Sequence, residues 1–171
     1  MSVTYPTTKL DDNFTLALIA TSSSDNFKPI TQVYGIVFNN KGEILICRSS
    51  DTAKWQIPGG SPEKGESLEE TLGRDLLEEV DVKVKNIKLL GFQRVDQKDN
   101  SFKHVGDRYY QARMYCELDE LLPQTPDPAS GKTWERKFVP QDKILVYLPW
   151  KVVGEAMFKD SSKEWAKNNN H

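Results

Sequence analysis

Asp75, Glu78 and Glu79 stand three and four residues apart in a stretch where Leu72, Leu76 and Val80 recur every four positions. At about 100° per residue the three acids fall within an arc of roughly 100° on a helix, beside that apolar stripe. Like charges at these spacings destabilise a helix by a few tenths of a kcal/mol per pair, and acids in its C-terminal half oppose the macrodipole. A divalent cation relieves both penalties. Mg2+ takes hard oxygen ligands of this kind, usually one or two carboxylates completed by water and substrate phosphate. From the helix alone the competing reading stays open: a solvated acidic face, with Arg74 pairing to Glu70 and Glu78.

The elements that must position these acids are legible around them. Residues 49–65 carry Pro58, Gly59, Gly60, Pro62 and Gly65 with little periodicity, the pattern of an ordered, irregular loop. Gly59 and Gly60 let backbone approach a ligand closely, and Glu66 reaches back toward Arg74 to hold it beside the acids. Ser67 with Glu70 makes a capping box that starts the helix, and Asp81 ends it. Strands are expected over 14–21, 82–95, 108–118 and 132–139. A further antiparallel hairpin over 31–38 and 43–48 turns at Asn39-Asn40-Lys41-Gly42. A C-terminal helix is expected around 151–159 and beyond, weakened by Gly154. This order fits a mixed sheet with helices packed on its faces.

A length of 171 residues suits one domain, 1–171, with residues 1–30 as an N-terminal strand extension and 165–171 as a frayed tail. Lys and Arg number 23 against 25 Asp and Glu, a net charge of −2, which speaks against a broad basic surface for a nucleic-acid polymer. Apolar residues at 37% support a globular core, in which Cys47 and Cys116 sit as buried thiols. No run approaches the ~20 apolar residues that cross a bilayer, so cytoplasmic residence and no membrane partner are expected.

The run Gly60-x5-Glu66-x7-Arg74-Asp75-Leu76-x-Glu78-Glu79-x-Asp81-Val82 resembles the signature of the Nudix hydrolases, Gly-x5-Glu-x7-Arg-Glu-U-x-Glu-Glu-x-Gly-U with U aliphatic. Five of the seven fixed residues are identical and both U positions are aliphatic. The lead-in Trp55-Gln56-Ile57-Pro58-Gly59-Gly60 and the tail Phe138-Val139-Pro140 with Leu148-Pro149-Trp150 are similar to the family's as well, so the resemblance spans about 33–150. Two positions depart from it. Asp75 replaces Glu with an arm one methylene shorter, and Asp81 replaces Gly with a residue that tolerates a left-handed cap.

The resemblance implies an α/β (α+β) fold, an α/β/α sandwich with a curved mixed sheet and helices on both faces. It implies a metal-dependent pyrophosphohydrolase that cleaves a nucleoside diphosphate linked to another moiety by water attack on phosphorus, with Mg2+ or Mn2+ as cofactor. By position, Glu79, Asp75 and Glu78 bind metal, the Gly59 carbonyl adds a ligand, and Arg74 with Glu66 holds the acids. Glu78 or Asp75 is the water-activating base, and Glu135 is the candidate for a further acid from beyond the motif.

Arg48, Arg94, Arg108 and Arg113 lie on strands or at their ends and present rigid forks to phosphate. Tyr34, Phe92, Phe102, Tyr109 and Tyr110 offer platforms for a base. Arg48, Arg94 and Tyr109 are taken as the substrate-binding set. Trp55 reads as a core residue, and His104 as a solvated loop residue that stands near the site. The partner expected is a small nucleotide or diphosphate. Strand 14–21, outside the matched span, offers an edge for a symmetric homodimer. The alternative to an enzyme is a nucleotide-binding module with weak or no turnover, for which Asp75 is the sequence feature.

Overall fold

The turn at 39–42 brings Phe38 opposite Ile44 in the computed structural model, which describes residues 3–4, 7–98 and 106–169. Phe102 and His104 lie outside the described residues. The elements run β1 (Val3–Thr4), β2 (Thr8–Lys9), β3 (Phe14–Ala20), β4 (Ile30–Phe38), β5 (Ile44–Arg48), β6 (Gly59–Gly60), α1 (Leu68–Val80), β7 (Val82–Gln97), β8 (Arg108–Leu121), β9 (Glu135–Val139), a 3-10 turn (Gln141–Lys143), α2 (Ile144–Tyr147) and α3 (Lys151–Asn169).

The strands form one open sheet in the order β1-β3-β7-β8-β4-β5-β9, with β2 added to β3 and β6 to β4. The β4–β8 pair is parallel and its neighbours are antiparallel, so the sheet is mixed. Alternation along β4 divides the core. Val33 and Val37 face α1, where they meet Leu72, Leu76 and Val80, all three fully buried. Ile36 and Phe38 face the other side, against Ile144, Leu148, Val153, Met157 and Phe158. Burying side chains of this size stabilises by about 1.5–3 kcal/mol each. Helices therefore cover both faces, as the sequence implied.

Three elements differ from expectation. The strand 14–21 is not a free edge for a second subunit: β3 pairs along its whole length with β7 of its own chain, Phe14 opposite Gln97 and Ala20 opposite Gly91, and β1 and β2 take its other edge. The expected tail 165–171 is helical through Asn169. Trp165 stacks on Phe38 at 6.2 Å, and Asn168 donates to the Tyr115 hydroxyl at 3.3 Å and to Glu117 at 3.2 Å. Gly154, read as a weakness in this helix, is where Trp150 packs: a Cβ there would lie 2.8 Å from the Trp150 Cβ. No helix among the described residues is long and apolar enough to cross a membrane.

The feature that positions the acids is β6. After β5 the chain returns alongside it, with an isolated bridge between Cys47 and Gln56, and Gly59 and Gly60 then pair with Tyr34 and Val33 of β4. Side chains would prevent this. Gly59 has φ +145, and a Cβ on it would lie 2.1 Å from the Val33 carbonyl oxygen. Gly59→Ala is expected to destabilise the protein by at least about 2 kcal/mol, the sum of a strained backbone and a steric overlap. Urea denaturation measures it, and a change below ~0.5 kcal/mol would refute this account of β6.

Candidate active site

Helix α1 starts where the capping box requires: the Ser67 hydroxyl accepts the Glu70 N–H at 3.1 Å, and Glu70 accepts the Ser67 N–H at 2.8 Å. It ends on Asp81 in the left-handed conformation, φ 51 and ψ 48, which Asp tolerates. Asp81 also fastens the following loop, accepting from the Thr125 hydroxyl at 2.6 Å and its N–H at 2.9 Å. Arg136 of β9 closes the same end by donating to the carbonyls of Val80, Asp81 and Leu122. Both ends of the acid-bearing helix are thus fixed.

Arg74 binds Glu66 through two parallel hydrogen bonds, Nε to Oε1 at 2.7 Å and Nη2 to Oε2 at 2.9 Å. Its Nη1 donates to Asp75 Oδ1 at 2.6 Å and lies 3.5 Å from Glu78 Oε2, and Nη2 also reaches the Ser61 carbonyl at 3.1 Å. Glu66 is itself held by the Glu63 N–H and the Thr71 hydroxyl. The bonds from Arg74, then from the Glu63 backbone, bring the Glu66 carboxyl down to about 2. One guanidinium therefore ties the loop before the helix to two of its acids, as the sequence suggested for Glu66, Arg74, Asp75 and Glu78.

Two carboxylate oxygens stand outside these bonds. Asp75 Oδ2 and Glu79 Oε2 are buried without a hydrogen-bond partner among the described residues. Gly60 packs against Asp75 so closely that a Cβ would lie 2.7 Å from Oδ2. Desolvation raises the Asp75 carboxyl in spite of Arg74. Desolvation, then the Asp75 charge, lifts Glu79 to about 8, while a hydrogen bond from the Gly59 backbone pulls the other way. Two buried, unpartnered carboxylate oxygens with depressed acidity suit a divalent cation. Asp75, Glu78 and Glu79, with the Gly59 backbone beside Glu79, are the residues that could hold it. Among the described residues no three His, Cys, Asp or Glu side chains stand together as a ready cage. The fit is to an ion that keeps water and ligand oxygens, as Mg2+ does.

Other expected residues stand apart. Glu135 is committed to Arg48 across the β5–β9 pair, with Oε2 2.8 Å from Arg48 Nε, so these two residues neutralise each other. The acid from beyond the helix that acts on Glu79 is Asp127, in the loop before β9. It accepts the N–H groups of Ala129 and Ser130 at 2.7 and 2.9 Å, and these bonds outweigh burial to lower its carboxyl. An Asp inside a proline-rich loop gave no periodic signal of this role. Arg94 pairs with Asp96 at 2.9 Å, and Tyr109 is buried. Phe92 and Tyr110 pack with Phe27 in the α1-side core. Trp55 is only half-buried and carries Arg48 at 4.6 Å and Lys137 at 4.2 Å over its ring. Of the expected platforms and forks, Tyr34 and Arg113 line a cavity, together with Trp55.

An acid whose carboxyl is raised on folding takes up a proton between its two values, so Glu79 lowers stability progressively as pH rises from about 4.5 to about 8. Glu66 has the opposite sign: its contribution is present above about 4.5 and is lost as pH falls toward about 2. In EDTA, Glu79→Gln should melt a few degrees above wild type at pH 8 and level with it below pH 4.5. Added Mg2+ should raise the wild-type melting temperature and leave the variant unmoved. Thermal denaturation across pH reads both, and a variant less stable than wild type at pH 8 would contradict the reading.

The sequence matches the NUDIX domain over residues 28–159. It is 32% identical over 71 residues to an RNA pyrophosphohydrolase of Psychromonas ingrahamii, covering 42% of this chain and 38% of that one. It is 30% identical over 137 residues to the RNA pyrophosphohydrolase of Actinobacillus succinogenes, covering 72% and 68%. The chain spans less than half the length of the first of these relatives. A mutant of the Bacillus subtilis pyrophosphohydrolase BsRppH superposes with a TM-score of 0.65 at 19% identity, covering 88% of this chain and 92% of that one. MutT from a structural study of Aliivibrio salmonicida and Vibrio cholerae superposes at 0.54 and 24% identity, covering 80% and 98%. At such identities the superpositions speak to the fold alone, and it is the sequence match over most of the chain that shows the family: this chain belongs to the NUDIX domain family.

Proposed function

We propose that the protein is a metal-dependent pyrophosphohydrolase that cleaves a nucleoside diphosphate linked to another moiety, by attack of water on phosphorus. The observation that carries this reading is the pair of buried carboxylate oxygens without partners among the described residues, Asp75 Oδ2 and Glu79 Oε2, on the helix that the Arg74–Glu66 clamp fixes. When bound, Mg2+ or Mn2+ would gather the diphosphate charge and acidify water. Glu79 and Asp75 supply buried oxygens to hold it, with Glu78 at the more exposed side of the cluster. Arg74 and Glu66 position those acids and do not themselves reach the reacting atoms.

Between the two candidates for the proton-accepting base, the geometry favours Glu78. Asp75 has one oxygen bonded to Arg74 at 2.6 Å and the other buried against Gly60. The side chain of Glu78 is 39% exposed and touches Arg74 only at 3.5 Å, so water reaches it. The same engagement of Asp75 supports the second reading, a nucleotide-binding module whose short acid arm cannot serve turnover.

The names of the relatives add RNA to the substrates worth testing, although the charge balance points away from nucleic-acid polymers. The test is a panel with Mg2+ or Mn2+: nucleoside triphosphates, ADP-ribose, dinucleoside polyphosphates, nucleotide sugars and a 5′-triphosphorylated RNA oligonucleotide. Metal-dependent release of a mononucleotide, pyrophosphate or orthophosphate is expected. Glu78→Gln and Glu79→Gln should each lower turnover by about 10²-fold or more. Metal-dependent binding without product across the whole panel would favour the module, and full turnover in Glu79→Gln would remove the site assignment.

A further inference from the structure

A cavity of about 320 Å³ opens on the sheet face opposite α1, between the strands and the start of α3. Its polar wall is Tyr34, Gln93, Gln111 and Arg113, one cross-strand patch set by the register that places Tyr34 beside Arg113 and Gln93 opposite Gln111. Arg113 is 4% exposed. Its Nη2 donates to the Gln93 and Gln111 carbonyl oxygens at 2.9 and 3.0 Å, and its guanidinium lies 4.7 Å from the Tyr34 ring centre. The amides are oriented in turn, because Gln111 donates to Gln32 at 2.6 Å and the Tyr34 hydroxyl donates to the same Gln32 oxygen at 2.8 Å. Every partner of Arg113 in this network is neutral.

A buried guanidinium held only by dipoles lacks its counter-charge. The surroundings sharpen the point. Lys54 and Lys151 are exposed cations on the same lining, and no carboxylate is among the described lining residues, in a chain whose net charge is −2. Two buried polar atoms on the lining have no partner among the described residues, Arg113 Nε and Thr8 Oγ1. Burial lowers the Arg113 guanidinium only to about 10, so it is charged at neutral pH.

We propose that this cavity receives an oxyanion, a phosphate or carboxylate group, carried by a part of the substrate outside the diphosphate that is cleaved. The inference rests on the hydrolytic reading of the acid helix and deepens it: the preferred substrate bears its own anionic group beyond the scissile linkage. The two sites share one stretch of chain. Lys54, Trp55 and Ile57 line the cavity, and the same segment continues to Gly59 and Gly60, which lie against Glu79 and Asp75. Tyr34, beneath Arg113, stands within electrostatic reach of Glu79. A cavity of this size takes a substantial part of a nucleotide-sized molecule.

The test uses the full chain in EDTA, so that metal-dependent binding at the acid helix plays no part. Inorganic phosphate and malonate are titrated separately while the fluorescence of Trp55 and Trp150, both on the lining, and the melting temperature are recorded. Wild type and Glu79→Gln should respond saturably to at least one anion, and the stronger response distinguishes phosphate from carboxylate recognition. Arg113→Met should bind at least tenfold more weakly, yet melt no lower than wild type without anion, since it loses an unpaired charge. Lys54→Gln combined with Lys151→Gln changes only exposed positions and should weaken binding at least threefold. No saturable response to either anion in wild type, equal binding in Arg113→Met, or unchanged binding in the double lysine variant would overturn the proposal. Failure of the hydrolytic reading appears instead in the metal-dependent panel, which this titration does not touch.

Discussion

Three carboxylates within little more than one helical turn repel one another, and the Arg74 guanidinium offsets that repulsion at two of them, Asp75 and Glu78. Its bidentate grip on Glu66 lies almost outside the helix, so the loop that ends at Ser67 and the acids that follow become one rigid unit. That unit needs a floor, which Gly59 and Gly60 provide by pressing against β4 and against Asp75. It needs a fixed helix axis, which Leu72, Leu76 and Val80 give by burial and Arg136 and Asp81 give at the C-terminus. The result is a local electrostatic excess that folding alone leaves unresolved, a common mark of a site that a ligand completes.

The opposite face of the sheet carries the complementary excess. Acids crowd on α1, while Arg113 and two lysines line a cavity behind β4. The Lys54–Gly60 segment passes from one to the other. A molecule with a metal-gathered diphosphate and a separate anionic group would satisfy both, whereas neither site is neutralised by the protein itself.

How much of this was readable from residue order depended on how far apart the interacting residues lie. The α1 helix, its capping box, its left-handed Asp81 end and the Glu66–Arg74 clamp involve residues within 15 positions of one another, and the structure places them as expected. The Gly59–Gly60 approach was legible because only glycine fits a backbone lying against another backbone. Helix α3 was underestimated because its polar face is held by distant pairs, Lys88 with Glu164 at 2.6 Å and Asn168 with Tyr115 at 3.3 Å, which periodicity cannot register. Glu135 reads in the sequence as a candidate further acid for the site because its partner Arg48 is 87 residues away. Arg113 stood among several arginines until sheet register placed Gln93, Gln111 and Tyr34 around it.

The proposed role of the acid face of α1 is to hold a divalent cation. Anomalous diffraction from crystals soaked in Mn2+ tests it most directly. One or more Mn2+ peaks bounded by the carboxylates of Asp75, Glu78 and Glu79 are expected, with Arg74 still bound to Glu66. Saturating Mn2+ that leaves this cluster empty, or peaks confined to other acids, would contradict it.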